Sequence, residues 1–173
     1  PPNSKGKNRS MWNVHNEYLD KHAPGHQSPK EQAVLDLLEH IGALEKKLKC
    51  QVIIMGDFNI YLERESGPKT WLSQQMEKAG LTEAISHRHR EIRPFTFHRE
   101  WTPKAKQGNP NTQPQKKISK SWIDHIWCSK KILGEGIITG VGVLQNQQVH
   151  GSDHRIIGAR INLHTLFDQP QVG

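Results

Sequence analysis

No apolar run in the 173-residue sequence approaches the roughly 18 residues that cross a bilayer, so no membrane partner is expected. Cysteine is scarce: Cys50 and Cys128 are too few for a disulfide framework or a four-thiolate zinc site, and their use fits a reducing compartment. No Gly-x-Ser-x-Gly elbow surrounds Ser121 or Ser152, which argues against a serine hydrolase and leaves both as hydrogen-bond supports. Apolar residues are few at 34%, and adding the 14 glycines still leaves the chain below the roughly 45 to 50% of typical globular proteins. A thin core is expected. The opening PPNSKGKNRS carries no apolar block of the kind a signal peptide uses, and the expected setting is intracellular, the nucleus included.

What the chain does have is positive charge, and it is concentrated. Of the 24 Lys and Arg and 17 Asp and Glu, the segment from His87 to Lys131 holds 11 basic and 3 acidic residues, leaving 13 and 14 for the rest. That segment also holds Phe95, Phe97, Trp101, Trp122 and Trp127. Cations interleaved with aromatics suit a polyanion whose bases or sugars can be stacked, which makes nucleic acid, DNA in particular, the leading partner. Composition alone leaves this reading level with a solvated basic loop whose aromatics turn inward.

The pattern predicts one domain over residues 11–165, with residues 1–10 as loop and 166–173 as tail. Trp12, Val14 and Tyr18 alternate weakly and suggest a first strand ending near Leu19. Ser28, Pro29 and Glu31 then supply an N-cap, a first-turn proline and a capping-box acid. Val34, Leu37, Leu38, Ile41, Leu44 and Leu48 continue at three- and four-residue spacing, which predicts a long helix. Val52 to Met55 reads as a strand covered on both faces. A shorter helix is expected beyond Gly67 and Pro68, using Trp71, Leu72 and Met76 and stopping at Gly80. Lys104 to Lys120, almost without apolar side chains, predicts a long exposed loop. Strands are expected over Trp122 to Cys128, Ile137 to Leu144 and Arg155 to Leu163.

Three polar clusters adjoin these strands: Gly56-Asp57-Phe58-Asn59, Ile123-Asp124-His125-Ile126 and Ser152-Asp153-His154. Singly each has a bland reading, since Asp and Asn after Gly form ordinary turns. Carboxylates set against apolar strands are harder to dismiss, because an unpaired buried charge is costly and so tends to hold a cation, a metal or a histidine. His125 alternates with Asp124 and is read as structural or surface, which leaves His154 as the candidate catalytic imidazole.

In this order and context the motifs resemble the endonuclease/exonuclease/phosphatase superfamily of metal-dependent phosphodiesterases. Val52-Ile53-Ile54-Met55-Gly56-Asp57-Phe58-Asn59 is similar to its strand with Asp and Asn, Ser121-Trp122-Ile123-Asp124-His125-Ile126 to its penultimate acidic strand, and Gly151-Ser152-Asp153-His154-Arg155 to its terminal Ser-Asp-His motif. Pro94-Phe95-Thr96-Phe97 resembles its Thr-aromatic segment, and Thr96 to Ser129 is most similar to retrotransposon-type endonucleases. The resemblance implies catalytic roles for Asp57, which orients or deprotonates water, for Asn59, which donates to a phosphate oxygen, and for the pair Asp124 and His154. It implies metal binding by Asp153, substrate contacts from Tyr18, Arg93, Thr96 and Trp122, and Mg²⁺, or Mn²⁺ in its place, as cofactor.

The fold it implies is an incomplete two-sheet α/β sandwich with the N-terminal half missing, because no strand-end Asn or Gln-Glu precedes Tyr18. The family proline two residues after the tyrosine is also absent: Asp20 stands there. Without the glutamate, Mg²⁺ is expected to bind weakly, and the truncated sheet is expected to favour self-association. The function expected is Mg²⁺-dependent phosphodiester hydrolysis of DNA-endonuclease lineage, impaired here. The alternatives are a catalytically dead nucleic-acid-binding remnant and a phosphatase or phospholipid phosphodiesterase of the same superfamily. The polar, cationic segment disfavours the lipid substrate, which would call for an exposed apolar hairpin.

Overall fold

The capping residues do locally what their chemistry dictates. In a computed structural model that describes residues 11–22, 25, 28–60, 70–90, 94–102, 115–148 and 152–167, Ser28 Oγ accepts the Glu31 amide at 3.4 Å while Glu31 Oε2 accepts the Ser28 amide at 3.0 Å. This capping box starts helix α2 (Pro29–Leu48), which buries Val34 and Ile41. It is preceded by α1 (Met11–His22), where the weak alternation suggested a strand. Val14 and Tyr18 fit a four-residue repeat as well as a two-residue one, and the four polar residues between Trp12 and Tyr18 carry no β-branched bias to decide for a strand.

The chain divides into two compact units, Pro1–Leu48 and Lys49–Gly173. Residues 1–10, and 168–173 of the expected tail, lie outside the described residues.

The second unit is built on antiparallel ladders. Strands β1 (Ile53–Asp57), β2 (Leu81–Glu83) and β5 (Asp124–Ser129) form a sheet in the order β1-β5-β2. A hairpin pairs β3 (Phe97–Trp101) with β4 (Lys117–Ser121), and β6 (Ile138–Gln148) pairs with β7 (Arg155–Ile161). Between them run α3 (Trp71–Lys78), α4 (Ala84–Arg88) and α5 (Lys130–Gly134), and α6 (Leu163–Phe167) follows β7. Helix α3 is capped by Thr70, whose Oγ1 accepts the Ser73 amide, and the turn after it passes through Gly80 at φ +77°, a left-handed conformation that glycine adopts without strain.

The strand buried along its whole length is β5, not β1. Position in the sheet decides this: β5 has a neighbour on either side, whereas β1 is flanked on one side and leaves Met55 46% exposed. The second unit's core includes Leu72 and Met76 of α3, Leu81, Ile85, and Ile126, Trp127 and Cys128 of β5. Burial pushes the Cys128 thiol up to about 11, so it is an inert packing group. Part of the expected loop from Lys104 to Lys120 is strand β4, because pairing with β3 satisfies a backbone whose side chains have no core to fill; residues 103–114 lie outside the described residues.

Candidate active site

Antiparallel pairing brings the first two acidic motifs together. Strand β1 ends at Asp57 and β5 begins at Asp124, and the register sets these two residues directly opposite one another. The amide of Phe58 donates to the Ile123 carbonyl at 2.9 Å and continues the contact past the strand end. The third motif arrives through β3: Phe97 bridges to His154, the His98 amide donates to the Asp153 carbonyl at 2.7 Å, and the Arg155 amide to the Thr96 carbonyl at 2.6 Å. Ser152 Oγ accepts the His154 amide at 3.1 Å, the support expected of it.

His154 stands at the centre. Its Nδ1 lies 3.1 and 3.0 Å from the two oxygens of Asp124, which fixes the tautomer with the proton on Nδ1 and turns Nε2 the other way. Nε2 lies 3.9 Å from Asp57 Oδ2 and 4.0 Å from Asp153 Oδ1. Partial burial by itself would lower the imidazole pKa, but the Asp124 hydrogen bond and the charges of Asp124, Asp57 and Asp153 prevail and hold it above the ordinary histidine value. The three carboxylates thus favour the charged imidazole more than an isolated histidine would, and Nε2 is aimed into a carboxylate-lined space.

Asp124 is itself buried and tied down at the backbone. Its amide donates to Thr96 Oγ1 at 3.0 Å, and its carbonyl accepts the Trp122 indole N–H at 3.0 Å. Thr96 is wholly buried, and its hydroxyl oxygen also accepts the Ile123 amide at 3.1 Å, while its own amide donates to the Ser121 carbonyl at 2.9 Å. Sequence reasoning assigned Thr96 and Trp122 to substrate contact; the structure places both beneath the site, where they set the position of Asp124. A small hydroxyl residue between two aromatics was the signal for Thr96, but no sequence pattern names the amides it receives.

Asn59 adopts φ +52°, a left-handed conformation that asparagine tolerates, and returns two hydrogen bonds to Asp57: amide to Oδ1 at 2.7 Å and side-chain NH₂ to Oδ2 at 2.8 Å. It orients the Asp57 carboxylate. Phe97, not singled out among the site residues, meets the His154 ring edge-on with centroids 5.3 Å apart. His125 is structural: it is fully buried, its Nε2 meets the Ile60 carbonyl at 3.0 Å, and burial pulls its pKa down to about 4 despite Asp124 and Asp57. Tyr18 sits on α1 in the first unit, 59% exposed, with its ring 4.4 Å from that of His22. Arg93 lies outside the described residues.

Ligand atoms of Asp57, Asp124 and His154 lie within 4.8 Å of one another, close enough for a metal ion. Asp124 is engaged with His154, so the oxygens open to a hard cation are those of Asp57 and Asp153, both about one-third to two-fifths exposed at 34% and 42%. Two partly exposed carboxylates fit an ion that keeps several waters. No glutamate belongs to this cluster among the described residues.

No curated protein matches the chain. The family described as endonuclease-reverse transcriptase matches residues 12–158, a span that contains all three acidic motifs. The chain belongs to that family, and with it to the retrotransposon-type branch of the endonuclease/exonuclease/phosphatase superfamily.

Proposed function

We propose that the protein hydrolyses phosphodiester bonds of DNA at the cluster formed by Asp57, Asp124, Asp153 and His154. The observation that carries this reading is the division of labour at His154, whose Nδ1 is held by Asp124 while Nε2 points at Asp57 3.9 Å away. A phosphate bound at Nε2 further favours the charged imidazole and meets a preorganised N–H donor, which stabilises the extra negative charge of the in-line transition state. Asp57, steadied by Asn59, takes the proton of the attacking water as the water oxygen bonds to phosphorus and the bond to the leaving oxygen breaks, the leaving oxygen taking a proton from solvent. Asp124 holds the imidazole orientation through Nδ1. Asp57 and Asp153 would hold Mg²⁺, which when bound polarises the phosphoryl oxygens. Nucleases of this superfamily are generally dependent on divalent metals, and two open carboxylates with no glutamate beside them among the described residues support weak affinity for the ion and an impaired enzyme. DNA is the substrate because the excess of positive charge is confined to the segment that brings Thr96 and Asp124 together.

Nicking of supercoiled DNA with Mg²⁺ tests the reading, using this chain beside Asp57→Ala and His154→Ala. Loss of nicking in both variants supports hydrolysis at this cluster. Equal background from all three, with salt-dependent DNA binding retained, identifies a binding remnant instead.

A further inference from the structure

The ring of Phe95, just before β3, carries two cations. The guanidinium carbon of Arg155 lies 3.7 Å from the ring centroid and Lys120 Nζ 4.7 Å from it. At 3.7 Å the planar guanidinium has room only to lie along the ring, which leaves its N–H edge for a further partner. Neither cation has a carboxylate within 4.0 Å among the described residues, whereas nearby Lys116 is paired with Glu100 at 2.9 Å. Two like charges gathered on one ring repel each other, and an anion between or beside them removes that cost.

Their position follows from the backbone that builds the hydrolytic cluster. Arg155 adjoins His154, and its amide donates to the Thr96 carbonyl. Lys120 stands opposite His98 in the β3–β4 register, and the His98 amide donates to the Asp153 carbonyl. At the entry to β3 the aromatics divide: Phe97 packs on His154 and Phe95 on Arg155.

We propose that Arg155 and Lys120, held on Phe95, form a second phosphate subsite that grips a non-scissile phosphodiester of the strand cut at His154, an assignment that rests on the proposed DNA hydrolysis. Arg155 supplies paired N–H donors for two phosphate oxygens and Lys120 supplies a mobile point charge. Phosphate contacts of this kind fix the register of a nucleic acid without reading its sequence.

Two measurements test the subsite. NMR of the chain labelled at arginine and phenylalanine follows the Arg155 Nε–H and the Phe95 ring during titration with inorganic phosphate and, separately, with a 12-base-pair DNA duplex. Both probes are expected to shift these signals. Duplex affinity is then measured against salt for Arg155→Ala and Lys120→Ala, each expected to weaken binding about tenfold near 0.1 M salt and to reduce the log–log slope by about 0.9. Signals unmoved by phosphate and duplex overturn the proposal, whatever the variants do. Signals moved by phosphate, with slopes unchanged in both variants, overturn the assignment to DNA. If signals and slopes behave as expected while Mg²⁺-dependent nicking is absent, hydrolysis fails as the function and the phosphate subsite stands.

Discussion

His154 and Asp124 are joined through a single ring nitrogen, with Nδ1 3.0 and 3.1 Å from the two carboxylate oxygens, and this pairing decides what the other nitrogen can do. Asp124→Asn keeps the shape but removes the charge that favours the imidazolium and can reverse the tautomer. Single-turnover hydrolysis is expected to slow by roughly a hundredfold to ten-thousandfold, with little change in thermal stability. An activity within a fewfold of the parent would mean that the pair is structural.

Thr96 offers a cleaner separation of position from contact. Its hydroxyl oxygen receives the amides of Ile123 and Asp124 in a buried setting. Thr96→Val keeps the volume and strands both donors, at about 1 to 3 kcal/mol for each. Urea unfolding is expected to show a loss of several kcal/mol for Thr96→Val and a much smaller loss for Thr96→Ser, which retains the acceptor. Equal losses would show that the methyl group, not the oxygen, matters.

Acid should loosen the second unit through His125. Burial is the main cause of its low pKa of about 4, with the Ile60 carbonyl and the charges of Asp124 and Asp57 pulling the other way. Because the folded state holds this proton less tightly than the unfolded chain, the contribution is complete above the ordinary value of 6.5 and disappears as pH falls from 6.5 to about 4. The span corresponds to about 3 kcal/mol. Denaturant titrations from pH 7.5 to 4.5 should therefore fall more steeply for the parent than for His125→Gln; parallel profiles would remove His125 as the cause.

Chelation and the acidic pair make a fourth test. EDTA is expected to abolish nicking and Mg²⁺ or Mn²⁺ to restore it, with Asp153→Asn raising the half-saturating Mg²⁺ concentration about tenfold or more. Unchanged metal dependence in Asp153→Asn would place the ion elsewhere.

Much of this was legible in the residues. The Ser28, Pro29 and Glu31 pattern announced α2 because capping is local chemistry, and the His154 partner was legible because the order of three acidic motifs carries the family pattern. Features that depend on neighbours across the sheet were not. The alternation around Tyr18 could not choose between strand and helix, and β1 looked doubly covered because an apolar run does not reveal whether its strand lies at an edge. The polar sequence Lys117–Ser121 gave no strand signal, since β4 is held by its ladder to β3 and not by core side chains. For the same reason Thr96 read as a substrate contact: its partners are backbone amides 27 and 28 residues away.

The most direct test of the central claim is a double-mutant cycle between Asp57 and His154 in single-turnover cleavage of a DNA phosphodiester. Groups acting on one phosphate as a unit are expected to be strongly non-additive, so that Asp57→Ala/His154→Ala cleaves about as slowly as the worse single variant. Losses that multiply in the double variant, or cleavage that neither single change affects, would contradict a shared site.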